Sequence, residues 1–272
     1  MTWSPEPLPA FLTEPTRIGD EISVTGKWTP AAPGRWFFRS EDSGAMRQEW
    51  EDIHADARAD AGVLSTEINH AIGQDAVLVH HIFESPEALV SYFSSTATRH
   101  MPALRAVAEP GLHLVRGVAM DDALRAALAD KSVDAAFGEY LFGFVKDHGR
   151  TDPDSAIHVT AKWTCAPGQS IEELAHWWQR VGTDAHEIEP GMLRFEVYRV
   201  LGEDALIVHE VFEDSTTLRF HLSRGTAARY KKQIDEIAAP EGYFFRGPVS
   251  WDIRTYSRFL SLPATYTSLG RQ

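Results

Sequence analysis

A chain of 272 residues that is 43% hydrophobic and 24% charged can supply two domains, each with its own core. No apolar run approaches the roughly 20 residues that a membrane-crossing helix needs. Met1 to Pro7 lack the basic start and apolar stretch of a secretory signal, so a cytoplasmic address is expected. The formal charge of −13 disfavours non-specific contact with nucleic acid or anionic lipid. Cys165 is the sole cysteine, which excludes an intrachain disulfide and a cysteine-built zinc site.

The chain repeats itself. Ile22–Thr29 returns as Ile157–Thr164 at an offset of 135, and Trp50–Ala57 as Trp178–Ala185 at 128. Gly62–Glu67 and Asp75–Glu84 return as Gly191–Glu196 and Asp204–Glu213 at 129, and Arg116-Gly117 as Arg246-Gly247 at 130. The order never changes, and the offset moves only where loops would absorb it.

In chain order, an N-terminal arm (1–19) precedes a first domain (20–120). Alternation over 22–29 predicts a strand. Met46, Trp50, Ile53 and Ala57 lie at helical spacing. Strands at 63–71 and 75–84 follow, joined through Gly73-Gln74. Ser85 is placed to cap a second helix with Pro86 in its first turn, and a last strand spans 112–119. A linker (121–155) opens on a helix-like run, Asp121–Leu128. The second domain (156–252) repeats the order: a strand at 157–164, then a helix through Ile171, Leu174, Trp178, Val181, Ala185 and Ile188 that Pro190-Gly191 stops. Strands at 191–201 and 203–213 come next, then a helix capped by Asp214 and a strand at 242–249; a tail (253–272) remains. The fold class expected is α+β, with two ferredoxin-like βαββαβ domains in tandem. The third strand of each is apolar on both sides, as in Val77, Val79 and Phe83 against Ala76, Leu78 and Ile82. The helix-free faces are therefore expected to bury each other, forming an intrachain dimeric α/β barrel.

The second copy resembles the antibiotic biosynthesis monooxygenase superfamily of dimeric α/β barrels. The resemblance rests on Pro190-Gly191-Met192-Leu193, the strand ending Glu210-Val211-Phe212-Glu213-Asp214, Leu218, and His221-Leu222-Ser223. Phe212 stands where the family more often has Trp, and the first copy departs further, with His81 for the Glu and Tyr92 for the His. The resemblance implies a cofactor-independent oxygenase that converts a small aromatic or polyketide-like quinol or anthrone to a quinone with O2, without metal or flavin. Its haem-degrading branch uses an Asn near Gly26 and Ala161 and a Trp at the positions of Tyr92 and His221, none of which matches here.

The candidate catalytic residues are His209, His221, Glu210 and Glu196; the candidate substrate-binding residues are Trp163, Phe212, Trp28, His80 and Tyr92. A neutral imidazole near its ordinary pKa of about 6.5 can take a phenolic proton, a role open to His209 or His221. His80 and His209 hold matched strand positions, where a structural imidazole is the plainer reading. Glu67, Glu196 and Glu210 sit on apolar strands and need partners, with Lys27 and Lys162 as candidates. Trp28 and Trp163 are core residues or an aromatic wall for a flat ligand, while Trp50, Trp177 and Trp178 read as core and interface.

No metal site is expected, because His80 and His81 are adjacent on a strand and point to opposite faces. Cys165 lies in no reactive motif, and no phosphate-cradling Gly loop is present. The expected partners are a small hydrophobic or aromatic substrate and O2, with further homodimerisation open. A non-catalytic binding or sensing module and an oxygen-independent isomerase or lyase are the alternative functions.

Overall fold

The computed structural model describes residues 9–13, 21–32, 41–72, 74–117, 124–126, 135–146, 155–249, 254 and 264–266. Its two units comprise residues 17–139 with 267–272, here the N-terminal unit, and 1–16 with 140–266, the C-terminal unit. Gly73 of the first hairpin turn and most of the expected tail lie outside the described residues. Among the described residues, no helix is long and apolar enough to cross a membrane.

The N-terminal unit runs β1 (Ile22–Pro30), α2 (Glu41–Ala57), β2 (Val63–His70), β3 (Val77–Phe83), α3 (Pro86–Tyr92), α4 (Thr98–Val107) and β4 (Ala108–Gly117). The short helix α1 (Ala10–Thr13) precedes them in the chain and belongs to the other unit. Ser85 caps α3 by accepting from the Ala88 N–H at 3.2 Å, with Pro86 in the first turn where its missing N–H costs nothing. The second helical segment is not one straight helix, because Phe93–Ala97 widens into a π turn between α3 and α4. β1 pairs antiparallel with both β3 and β4, and β2 pairs with β3. This is the split βαβ winding.

The C-terminal unit repeats it with β6 (Ile157–Cys165), α5 (Ile171–Ile188), β7 (Met192–Val200), β8 (Ala205–Phe212), α6 (Ser215–Ser223), α7 (Thr226–Ile237) and β9 (Ala238–Arg246). Ser170 and Asp214 cap α5 and α6 from the Glu173 and Thr217 N–H groups. β6 lies between β8 and β9, both antiparallel to it. Ile171, Leu174, Trp178, Val181 and Ala185 are all buried, forming the apolar stripe of α5 that the spacing predicts. α1 docks on this unit, with Phe11 stacked on His186 at 4.0 Å.

The structure departs from the four-stranded expectation. Part of the segment read as a linker is a strand, β5 (Ala135–Val145), and its first residues pair parallel with β4 in the N-terminal unit. In the C-terminal unit β10 (Ala264–Tyr266) pairs parallel with β9 in the same manner. There too Tyr140–Val145 runs beside β7: the Lys146 N–H donates to Leu193 O at 2.8 Å. Gly143 is a glycine because a Cβ would lie 2.3 Å from Phe195 O. Of the expected linker helix, residues 124–126 are described and are helical.

Candidate active site

Register decides which strand residues meet. Glu210 pairs with Val159 on β6 and Phe195 on β7, and its neighbour His209 pairs with Thr160 and Glu196. Successive strand residues face opposite ways. Glu210 therefore faces the helices, with Val159, while His209 and Glu196 share the helix-free face.

On the helix side, α6 brings in His221. Its Nδ1 is 2.9 Å from Glu189 Oε2, and its Nε2 is 3.2 Å from Glu210 Oε1. Glu189 follows α5 directly, and its other oxygen accepts the Thr226 N–H at 2.6 Å, at the first turn of α7. A carboxylate there is favoured by the positive end of the helix. The break between α6 and α7 requires Gly225, since a Cβ would lie 2.5 Å from Glu189 Oε1 and 2.7 Å from His221 Cα. One carboxylate thus ties together the end of α5, the end of α6 and the start of α7.

The electrostatics follow from this placement. Burial disfavours an imidazolium, but the charge of Glu210 and the contacts with both carboxylates outweigh it and push the pKa of His221 up to about 10. Burial alone would raise Glu189; its bond from His221 and the Thr226 N–H instead hold it below the usual carboxylate range. Lys146 donates to Ala185 O at 3.0 Å and Glu189 O at 2.7 Å, and burial brings its ammonium down to about 8 against the pull of Glu189. His221 is consequently a cation near neutral pH, the form that donates a proton rather than accepts one. Glu210 Oε1 is buried, and among the described residues the contact with His221 is an ion pair lacking hydrogen-bond alignment.

Glu210 and His221 line a cavity of about 50 Å³ with Val159, Trp163, Trp178 and Tyr243. Its half-exposed lining residues, Leu222, Ala227 and Lys231, mark the mouth. Trp163 meets Trp178 and Tyr243 edge-on at 5.4 and 5.9 Å. Phe212 is fully buried, its ring 5.1 Å from that of His221.

The other sequence candidates lie elsewhere. His209 is buried on the opposite face with its Nδ1 2.9 Å from Thr160 Oγ1, and His80 makes the same contact with Thr25 at 2.9 Å. Neither imidazole bonds a backbone carbonyl in these pairs, and neither shares a face with Glu210 or His81. Glu196 is fully buried and accepts from Tyr198 OH at 2.8 Å, with Arg194 Nε 3.9 Å away. The two lysines named as candidates go elsewhere: Lys162 reaches past the strand end to Glu203 and Glu241, and Lys27 donates to Gln74.

In the N-terminal unit, Trp28 and Tyr92 pack on the helix side around His81. Trp28 lies edge-on to Trp50 at 5.5 Å and to His113 at 5.6 Å, and Tyr92 is 5.5 Å from His81. Burial takes the pKa of His81 down to about 3, with His54 and His113 adding to it, so the ring is neutral. Burial, then Asp60 and Asp56, push the Tyr92 phenol up. The buried indole N–H groups of Trp28, Trp50, Trp163 and Trp178 lack hydrogen-bond partners in both units, a shared trait of the core. Among the described residues, the unaligned carboxylate oxygen is found in the C-terminal one.

Sequence reasoning missed Glu189, Tyr243 and Gly225. A signal for Glu189 was present: at offset 129 its counterpart is Asp60, so both copies carry an acid between the first helix and the second strand, beside Pro190-Gly191 or Ala61-Gly62. Among the described residues, no group of three or more His, Cys, Asp or Glu is placed to hold a metal.

A split βαβ sheet with a buried carboxylate–imidazole array between it and its helices defines the C-terminal unit as an α+β domain. Residues 156–233 match the antibiotic biosynthesis monooxygenase family. A provisionally named monooxygenase from Fusobacterium nucleatum is 14% identical, with TM-score 0.52 over 84% of this chain and 91% of that one. One from Lactobacillus acidophilus is 13% identical at TM-score 0.47 over 83% and 91%, and an anthrone oxidase-like protein is 12% identical at 0.48 over 83% and 89%. At such identities the likeness is one of fold. No curated protein matches the chain.

Proposed function

We propose that the C-terminal unit is a monooxygenase that oxidises a small aromatic quinol or anthrone to a quinone with O2, using no cofactor. The observation that carries the reading is Glu210, a buried carboxylate beside a fixed imidazolium in a cavity walled by aromatic rings. The family match of residues 156–233 supports the reaction type, and the aromatic lining of the cavity supports the substrate class. Glu210 takes the ionisable proton, and His221 offsets the charge left on the ring oxygen. The electron-rich anion passes one electron to O2, and the radical and superoxide combine into a carbon–oxygen bond. Loss of water from the hydroperoxide then forms the carbonyl. The sum is CH2 plus O2 giving C=O plus H2O.

The cavity at about 50 Å³ is smaller than the roughly 150 Å³ that admits benzene in a protein core. Ring entry therefore requires Leu222, Ala227 and Lys231 to move outward about the break at Gly225. Oxygen uptake and quinone absorbance with anthrone and dihydroxyanthrone, in metal-free buffer, test the proposal. Glu210→Gln is expected to slow turnover by about 10²–10⁴-fold. Saturable binding with no oxygen uptake would overturn catalysis in favour of a sensing module, and conversion under nitrogen would point to an isomerase or lyase.

A further inference from the structure

The N-terminal unit holds a cavity of about 400 Å³ lined by Arg47, Glu51 and His54 of α2 and by Ile68 and His70 of β2. That volume is within the range of small-molecule sites. It lies outside the Trp28, His81 and Tyr92 cluster that corresponds to the candidate active site. The other copy explains how the space arises. There the residues equivalent to His54 and Thr66 are Gly182 and Phe195, and they are in close contact: a Cβ on Gly182 would lie 2.6 Å from Phe195 Cε1. Phe195 is fully buried, against Trp178 and Phe144. In the N-terminal unit Thr66 has no ring to fill that volume, and His54 reaches over to it, Nδ1 to Oγ1 at 3.2 Å. An aromatic seam in one copy has become a polar cavity in the other.

We propose that this cavity binds a small carboxylate that also carries a hydroxyl or ammonium donor. Arg47 supplies a planar guanidinium, the side chain best shaped to hold a carboxylate through two parallel bonds. His54 and His70 add N–H donors on the same wall. Glu51 faces the same space and repels a bare anion, yet accepts from a hydroxyl or an ammonium. Among the described lining residues Ile68 is the apolar one and the other four are polar or charged. The site is independent of the chemistry proposed for the other unit.

Calorimetric titration of the full-length protein with malate and aspartate, beside inorganic phosphate and glycerol, tests it. Malate or aspartate is expected to bind one-to-one, more tightly than phosphate or glycerol. Arg47→Gln, a change on a partly exposed helix position, should weaken that binding about tenfold or more. His54→Gly with Thr66→Phe rebuilds the seam of the other copy and should abolish it, with folding checked by circular dichroism. Absence of saturable binding, equal affinity for phosphate or glycerol, or affinity unchanged in Arg47→Gln would overturn the proposal.

Discussion

The two units share a winding but not their buried polar groups, and three matched positions hold the difference. Where the C-terminal unit has Glu189, Glu210 and His221, the N-terminal unit has Asp60, His81 and Tyr92. In the former, two carboxylates hold an imidazolium in a buried site. In the latter, a neutral imidazole lies among Trp50, Phe83 and Tyr92. One buried position thus tolerates a charged array or a neutral aromatic cluster, provided that each polar group there is paired or uncharged. One unit holds the costly array, while the other packs the matched positions with rings.

The largest effect expected breaks the comparison by kinetics. Glu210→Gln should cost about 10²–10⁴ in oxygen-dependent turnover, while His81→Gln at the matched position should leave it unchanged. Similar losses from both changes would mean that chemistry is not confined to one unit. Next in size, Glu189→Ala strands the His221 cation and should destabilise the protein by about 3–5 kcal/mol, read from denaturant unfolding. Asp60→Ala, opposite no such cation, should cost much less.

The pH dependences should run in opposite senses. His221 has its pKa raised to about 10 from an ordinary 6.5, so its contribution is complete below about 6.5 and is lost as pH rises through 10. His81 has its pKa lowered to about 3; its neutral form is favoured by folding, so stability is complete above about 6.5 and falls as pH drops toward 3. Hydrogen exchange, corrected for the intrinsic effect of pH, should show the C-terminal unit weakening on the alkaline side and the N-terminal unit on the acid side. Glu189, held low, adds an acid-side loss in the C-terminal unit below its ordinary range. Parallel profiles in both units would sink this assignment. The smallest effect is steric: Gly225→Ala crowds Glu189 and should cost about 1–3 kcal/mol in the same unfolding assay.

Much of the fold was legible because it is written twice. The alternation at 22–29 and 157–164, the stripe through Trp178 and Val181, and the caps Ser85 and Asp214 all describe local geometry, and the structure has each of them. The site was legible only in part. Glu210, His221 and Trp163 were named and do meet; His209 and Glu196 were named with them but occupy the other face. Strand parity could have separated them, since Glu210 and His209 are adjacent. Glu189 escaped notice because it lies 32 residues from His221 in the chain, at a helix end where an acid ordinarily signifies nothing.

Taken alone, the order of residues determined the duplication, the βαββαβ winding of each copy and the asymmetry between them, because periodicity, caps and turn residues act over a few neighbours. Protonation was decided only in three dimensions. Whether His221 is a base or a cation depends on two carboxylates brought from a helix end and a strand, and a pKa answers to what surrounds a group in space. The same holds for the cavity beside His54, whose lining residues come from α2 and β2, more than ten residues apart in the chain.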